Sequence, residues 1–378
     1  MRINSIYFIV TGYPIKGNPV YTFIKQLVDS FADKGIDCTI IAPQSITSNL
    51  FNKNKKNRPT FWIDTTENNS KICIYQPYYI SFSNKSGLTS YLSSFFKHRA
   101  IKKVYKSFKK KPDVFYAHFW RNGLHAAKII KNQSVPIFVA SGESEIKINN
   151  IWNKKYNFKK INGVINVSKK NLEESFKLGL SDKSKMTVIP NAINEKKFYK
   201  KNKEECKYKL GINSDDFIIA FTGSFNHRKG VHRICEALEG VNNVSSIYIG
   251  SGALEPYGKD IIFSGQLEHD KIVDYLNAAD IFVLPTLAEG CSNAIIEAMA
   301  CGLPIISSNL SFNDDLLNDD NSIRINSDNV NELKEAIVYL RDNPNVVKSK
   351  GYFSHLRSKE LSINNRVNKI YNFMLAKI

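Results

Sequence analysis

What the 378-residue chain lacks narrows its class first. Its six cysteines, Cys38, Cys73, Cys206, Cys235, Cys291 and Cys301, stand far apart with no C-x-x-C pair, which indicates neither a zinc site nor a disulfide framework. They read as reduced, mostly buried thiols of a cytosolic protein. No stretch approaches the roughly 18 continuous apolar residues of a membrane span, and the apolar run Ile6 to Val10 is far shorter than a signal-peptide core. Neither a visible secretory signal nor a membrane span is therefore expected. No G-x-G-x-x-G follows the first strand-like run, because Thr11 to Pro19 does not supply it, and this argues against a two-domain dehydrogenase. Zinc, RRM and KH signatures are missing. No D-x-D stands at a strand end, so no tightly bound catalytic metal and no separate cofactor are expected. Asp314-Asp315 and Asp319-Asp320 sit in a polar stretch and read as solvated loops.

Acidic residues are scarce in one half only. Residues 1–200 carry 34 Lys and Arg against 12 Asp and Glu, whereas residues 201–378 carry 19 against 23. A basic half asks for an anionic partner such as nucleic acid, phosphates or a membrane surface, but it says nothing about fold. Its densest part is Lys97 to Lys111, with eight Lys or Arg and no acid. There Ile101, Val104, Tyr105 and Phe108 recur at i, i+3, i+4 and i+7, the pattern of a one-sided helix. Two readings stand. Either the helix packs its stripe on a sheet and solvates its lysines, or Lys97, Arg99, Lys102, Lys103, Lys106, Lys109 and Lys110 dock on an anionic membrane or a lipid-diphosphate acceptor. In the second reading Lys53 to Arg58 adds to the same face.

The length, with 43% hydrophobic residues, is enough for two domains. Ile6 to Val10, a Gly- and Pro-rich turn, a helix-period stretch from Val20 to Lys34 stopped by Gly35, and Cys38 to Ala42 form a βαβ unit of a parallel sheet. Strand-like runs follow at 71–75, 113–117, 135–140 and 163–167. A second series occupies Asp216 to Thr222, Ser246 to Gly250, Asp260 to Ser264, Asp280 to Leu284 and Pro304 to Ser307. The expected fold is α/β, with two doubly wound Rossmann-like domains, 1–190 and 191–360, facing a cleft, and a C-terminal helix at 361–378 that crosses back to the first. Ligands of such sheets bind at the carboxyl ends of the strands.

Leu284 to Ser308 is the most informative stretch. A strand ends at Pro285, Glu289 and Gly290 lie on the loop beyond it, and Ser292 is placed to N-cap an apolar helix that runs to about Cys301. Glu297 is the one charge between Gly290 and Asn313, and a carboxylate on a buried helix needs a partner. A backbone N–H or an Arg of a neighbouring element would serve. So would a ligand hydroxyl, with the amides of Cys291, Ser292 and Asn293 on a phosphate or on sugar hydroxyls.

Glu289 and Glu297, set in E-G-x-x-x-x-x-x-E-A-M-A-x-G-L-P, resemble the E-x7-E signature of the retaining family 4 glycosyltransferases, which have the two-domain GT-B fold. Thr222 to Gly230 (TGSFNHRKG) resembles that family's G-R-x-x-x-x-K-G loop, with Gly223, Lys229 and Gly230 in place. Ser224 stands where the family has Arg, which transfers the guanidinium role to Arg228. Taken alone, that loop reads equally as a solvated turn. Val188 to Asn194 with Phe198, Gly163 to Ser168, and Gly265-Gln266 with Ala279-Asp280 resemble further family segments. In the first half, Asp113 to His118 resembles the strand whose terminal His nears the donor sugar. Gly17-Asn18 stands in the family's Gly-rich loop beside the diphosphate. Glu143 stands at an acceptor-side position that is equally well a surface loop.

The resemblance implies transfer of a hexosyl or N-acetylhexosaminyl group from a nucleoside diphosphate sugar, a UDP-sugar being favoured. The acceptor would be a glycan or a lipid-diphosphate-linked glycan of surface polysaccharide synthesis, and no nucleic acid partner is implied. Arg228 and Lys229 would stabilise the leaving diphosphate, Glu297 would hold the ribose, and Glu289 and His118 the donor sugar. The expected location is cytoplasmic, peripheral at the inner face of the plasma membrane. The rival reading is a basic nucleic-acid- or membrane-binding α/β protein without transferase activity.

Overall fold

Strands buried on both faces read as unbroken apolar runs, and such runs form the centre of two parallel sheets. The computed structural model describes residues 2–15, 21–47, 58–82, 87–130, 135–148, 156–213, 215 and 217–378. Two compact units divide it. The first comprises Met1–Val167, Asn171–Ile189 and Val367–Ile378, and the second Ser168–Lys170 and Pro190–Arg366.

In the first unit, β1 (Ser5–Ile9), β2 (Asp37–Ile41), β4 (Phe61–Thr65), β5 (Lys71–Tyr75), β7 (Val114–His118), β8 (Ile137–Ser141), β9 (Gly163–Asn166) and β10 (Met186–Val188) form one sheet in the order β10-β9-β8-β7-β1-β2-β5-β4. Only β4 runs antiparallel. The short β3 (Gln44–Ser45) and β6 (Tyr78–Tyr79) pair separately. Helices α1 (Thr22–Ala32), α2 (Gly87–Ser107), α3 (Trp120–Ile129), α4 (Tyr156–Lys159) and α5 (Lys169–Lys177) follow in chain order. β7 and β8 are buried at every residue, whereas the edge strand β4 alternates and exposes Phe61 and Ile63. The sheet order reverses at the β1–β7 pair, so the loops that leave these strands open side by side at the carboxyl edge.

In the second unit β11 (Phe217–Thr222), β12 (Val244–Ile249), β13 (Ile261–Gly265), β14 (Ile281–Leu284), β15 (Ile305–Ser308) and β16 (Ser322–Ile325) run parallel in the order β13-β12-β11-β14-β15-β16. Its helices are α6 (Lys203–Leu210), α7 (Val231–Leu238), α8 (Ile272–Ala278), α9 (Asn293–Ala300), α10 (Val330–Asp342) and α11 (Pro344–Glu360). Here the reversal falls at the β11–β14 pair. The last helix, α12 (Ile363–Ala376), starts in the second unit, and from Val367 onward it belongs to the first. There Phe373 lies against Phe138, and Tyr371 Oη accepts from Ile3 N–H at 3.3 Å.

One expectation shifts. The basic helix begins at Gly87 and ends at Ser107, so Lys109 and Lys110 lie beyond it, on the turn before β7. Pro112 bars any extension of the helix through Lys111, because proline cannot continue a helix and restricts the residue before it. The apolar stripe packs as expected: Ile101 is buried, and Val104, Tyr105 and Phe108 lie against the first unit's core.

Asp274 on α8 joins two elements of the second unit by accepting from Lys201 at 2.6 Å and from Lys209 at 2.5 Å. Burial would raise its pKa, but the bonds and charges of the two lysines outweigh burial and hold it below the usual carboxylate range. A carboxylate depressed in this way stabilises the fold above its unfolded pKa, and that contribution disappears as pH falls through the folded one. Asp274→Asn is therefore expected to lower stability by about 1 kcal/mol at pH 7. The deficit should shrink as pH is lowered toward the folded pKa. Urea titrations across this range check it, and a deficit independent of pH contradicts the assignment.

Candidate active site

The loops leaving β11 and β14 meet where the second sheet reverses. Glu289 Oε1 accepts from Arg228 Nη1 at 2.9 Å, Lys229 Nζ at 2.6 Å and the buried Thr286 Oγ1 at 2.9 Å. The loops are also joined through backbone: Leu287 N–H donates to Arg228 O at 2.9 Å, and Arg228 Nη1 reaches Ala288 O. Behind them the buried Arg233 of α7 donates to His227 O at 3.0 Å and Pro285 O at 2.7 Å. Gly230 turns the first loop into α7 at φ +81°, and a Cβ there would sit 2.7 Å from Pro285 O. Two cations share one carboxylate, so the cluster keeps a net positive charge. Lys229 and Glu289 are largely enclosed, while the Arg228 side chain is 40% exposed.

The loop after β12 braces this arrangement. Gly223 N–H donates to Ile249 O and Phe225 N–H to Ser251 O, each at 2.9 Å, while Gln266 Nε2 donates to Ser251 Oγ at 2.5 Å. The pair Gly250 and Gly252, uninformative as a motif, permits the approach: a Cβ on Gly250 would lie 1.8 Å from Gly223 O, and one on Gly252 2.1 Å from Phe225 O.

Ser292 caps α9, its Oγ accepting from Ile295 N–H at 3.4 Å, with Gly290 and Cys291 buried just before and Asn293 as the first helical residue. Asn191 holds this start in place. Its Nδ2 donates to Cys291 O at 3.0 Å, its N–H points to Cys291 Sγ, and Arg366 Nη1 donates to its Oδ1 at 2.5 Å. Burial pushes the Cys291 thiol up to about 12, which keeps it a neutral packing group. Glu297 does have a side-chain partner, but it is His269, whose Nε2 lies 3.2 Å from Oε1. The Oε2 atoms of Glu297 and of Glu289 have no partner among the described residues. Sequence reasoning missed His269 and the holding roles of Asn191 and Arg233. Asn191 carried a signal, in the V-I-P-N stretch; His269 and Arg233 sit in stretches with no pattern of their own.

In the first unit His118 ends β7 and is only 3% exposed, its ring between those of Phe23 and Phe119. Phe119 follows at φ +73°, a conformation that strains a bulky residue by about 1–3 kcal/mol and is retained where a loop is held for function. Glu143 is neither a solvated loop residue nor free: it accepts from Trp120 N–H at 2.7 Å, Gly142 N–H at 3.0 Å and Ser141 Oγ at 3.2 Å. Burial nevertheless leaves its pKa above the ordinary value. Phe119, Trp120 and Glu143 border a cavity of about 730 Å³ at the carboxyl edge of the first sheet, whose walls also include Thr11, Gly12, Tyr21 and Lys97. Lys97 thus leaves the basic patch and turns inward, toward α3. Arg99, Lys103, Lys106, Lys109 and Lys110 are exposed, and Lys102 is half-buried. Gly17, Asn18 and Lys53 to Lys56 lie outside the described residues. Among the described residues no group of three or more His, Cys, Asp or Glu is placed to hold a metal ion, and no helix is long and apolar enough to cross a membrane.

Comparison with known proteins gives this arrangement its class. Residues 216–343 match the family Glycosyl transferases group 1. A Bacillus subtilis protein named as a teichuronic acid biosynthesis glycosyltransferase is 28% identical over 356 residues, 88% of each chain. The Escherichia coli UDP-Gal:alpha-D-GlcNAc-diphosphoundecaprenol alpha-1,3-galactosyltransferase is 27% identical over 272 residues, 65% of this chain and 70% of that one. The sucrose-phosphate synthase of Thermosynechococcus elongatus superposes with a TM-score of 0.77 at 16% identity, covering 99% of this chain and 100% of that one. Residues 216–343 are thus a group 1 glycosyltransferase domain, and the chain is a glycosyltransferase with the GT-B fold.

Gly250→Ala should disrupt the braced loops, because the added methyl has no room against Gly223 O. A loss of about 1–3 kcal/mol is expected, as for other overpacking changes. It should be accompanied by a changed environment at Arg228 and Lys229. Urea denaturation measures the first, and an unaltered midpoint would contradict the close packing of the two loops.

Proposed function

We propose that the protein is a retaining glycosyltransferase that takes a nucleoside diphosphate sugar, preferentially a UDP-sugar, and extends a glycan or lipid-diphosphate-linked acceptor in the synthesis of a surface polysaccharide or glycolipid. The observation that carries this is the meeting of Arg228 and Lys229 on Glu289 beside the capped start of α9. A departing diphosphate gathers negative charge, and two pre-placed cations with the first amides of a helix stabilise it without reorganisation in the transition state. The E. coli relative named above uses UDP-Gal and a diphosphoundecaprenol-linked acceptor, which supports the donor and acceptor classes.

In this mechanism Glu297 accepts from the ribose diol with Oε2 while His269 steadies Oε1. Glu289 turns Oε2 to the donor sugar hydroxyls. Glu289 is an unsuitable covalent nucleophile, since three donors already converge on one of its oxygens. Retention is accordingly assigned to same-face attack assisted by the leaving phosphate rather than to the carboxylate pair of glycosidases. The acceptor belongs to the first unit. The exposed Arg99, Lys103 and Lys106 of α2, with Lys109 and Lys110 beyond it, suit the anionic cytoplasmic face of a membrane.

A thermal-shift screen with UDP, GDP, ADP and their sugars should show a selective upward shift with UDP compounds. Glu297→Ala removes a charged acceptor worth about 1.5–3 kcal/mol and should weaken UDP binding roughly ten- to a hundredfold. Unchanged affinity in calorimetry would remove Glu297 from the site.

A further inference from the structure

Lys97 is the unexplained cation of the first unit. It projects from α2 into the wall of the cavity and donates to Asn122 Oδ1 at 3.1 Å. Asn122 is fully buried and rigidly set, since its Nδ2 donates both to His118 O at 2.6 Å and to Thr11 Oγ1 at 3.1 Å. Its oxygen is thereby aimed at Lys97. An ammonium has three hydrogens to donate, and Asn122 takes one. Among the described residues no carboxylate lies within ion-pair distance of Lys97, although it sits beside the guanidinium of Arg121. Burial, reinforced by Arg121, pushes its pKa down to about 8. Of the two acids in the same cavity wall, Glu143 is already occupied by Trp120, Gly142 and Ser141, and Glu145 pairs with Lys147 at 2.8 Å. Beyond the cation, the walls offer the aromatic faces of Tyr21, Phe82 and Phe119 and the hydroxyl of Ser94, groups that suit a sugar ring.

A semi-buried ammonium with no anionic neighbour is a place where an anion is favoured over a neutral group, because the anion restores the solvation that burial removed. The position is not incidental to the reaction: the cavity lies at the β1–β7 reversal, and Asn122 ties Lys97 to the backbone of His118. We propose, resting on the transferase function assigned above, that this cavity receives the acceptor glycan and selects one bearing an anionic group, a sugar carboxylate or a phosphate, which Lys97 holds through a charge-assisted hydrogen bond. Lys97 is thus a specificity-determining residue of the acceptor site.

The test is calorimetric titration of the full chain with two matched pairs of acceptor fragments. Methyl glucuronide against methyl glucoside reads a carboxylate on the ring, and N-acetylglucosamine 1-phosphate against methyl N-acetylglucosaminide reads a phosphate. In the wild type at pH 7 the anionic member of at least one pair should bind about tenfold tighter or more, the gain of one charge-assisted bond. Lys97→Gln should abolish that preference and Lys97→Arg should keep it. In the wild type the preference should fall as pH rises from 7 to 9 and the ammonium loses its proton, whereas in Lys97→Arg it should stay level. That control isolates Lys97 from Arg58, Arg121, His98, His125, Tyr21, Tyr79, Glu143, Glu145 and Lys147, the other titratable groups at or beside the cavity. Equal binding within both pairs, or a preference that survives Lys97→Gln, overturns the proposal. Titration of the same samples with UDP reads the donor side separately: its affinity should not change in either Lys97 variant, and failure of the wild type to bind UDP would refute the donor assignment while leaving the acceptor result readable.

Discussion

The loops at the β11–β14 reversal are held together by one carboxylate. Arg228 and Lys229 are adjacent in sequence, and their like charges would drive them apart if nothing stood between them. Glu289 reaches across from the loop after β14 and takes both on a single oxygen, with Thr286 as a third donor. The exchange is mutual: a largely enclosed carboxylate is tolerable only when paired, and so is the enclosed ammonium of Lys229. The sheet makes the meeting possible. β11 and β14 are neighbours although more than fifty residues separate them, and the loop of each must therefore end beside the other.

The first unit obeys the same topological rule with different chemistry. At its own reversal, β1 beside β7, the sheet presents an amide, a histidine and a lysine in series, Asn122 linking the backbone of His118 to Lys97. Phe119 is held in a strained turn by its own N–H to Ala140 O at 2.8 Å and by Asn122 N–H to Phe119 O at 3.0 Å. Glu143 caps the first turn of α3 at the same place. A cationic cluster and a cavity are thus built at equivalent positions of the two sheets, where the strand order reverses. What differs is the charge placed there: paired cations in the second unit, and in the first a cation, Lys97, with no carboxylate partner among the described residues.

Much of this was legible in the chain itself. The strands buried on both faces announce themselves as apolar runs, and Ser292, Glu289 and Glu297 stand out because so little around them is polar. The elements that escaped notice are short or one-sided. β4 is an antiparallel edge strand whose alternation mixes Phe and Ile with polar residues, while β10 has three residues and β16 four. The helix at α2 extends ten residues upstream of its basic segment, where serines and aromatics hide any period. Asn191 and Gly250 lay in view without a role, since what they do is done to residues distant in sequence.

Local pattern thus determined the two-unit α/β architecture, the capped helix after β14 and the cationic loop after β11, because apolar period, helix caps and turn residues act over a few neighbours. Partnership was decided only in three dimensions. That His269 rather than an arginine meets Glu297, that Arg228 and Lys229 converge on Glu289, and that Lys97 turns from its basic helix toward Asn122 are consequences of strand order. Strand order brings together groups tens of residues apart, and hydrogen bonds and charge pairing, which act over a few ångströms, depend on that final proximity and not on spacing along the chain.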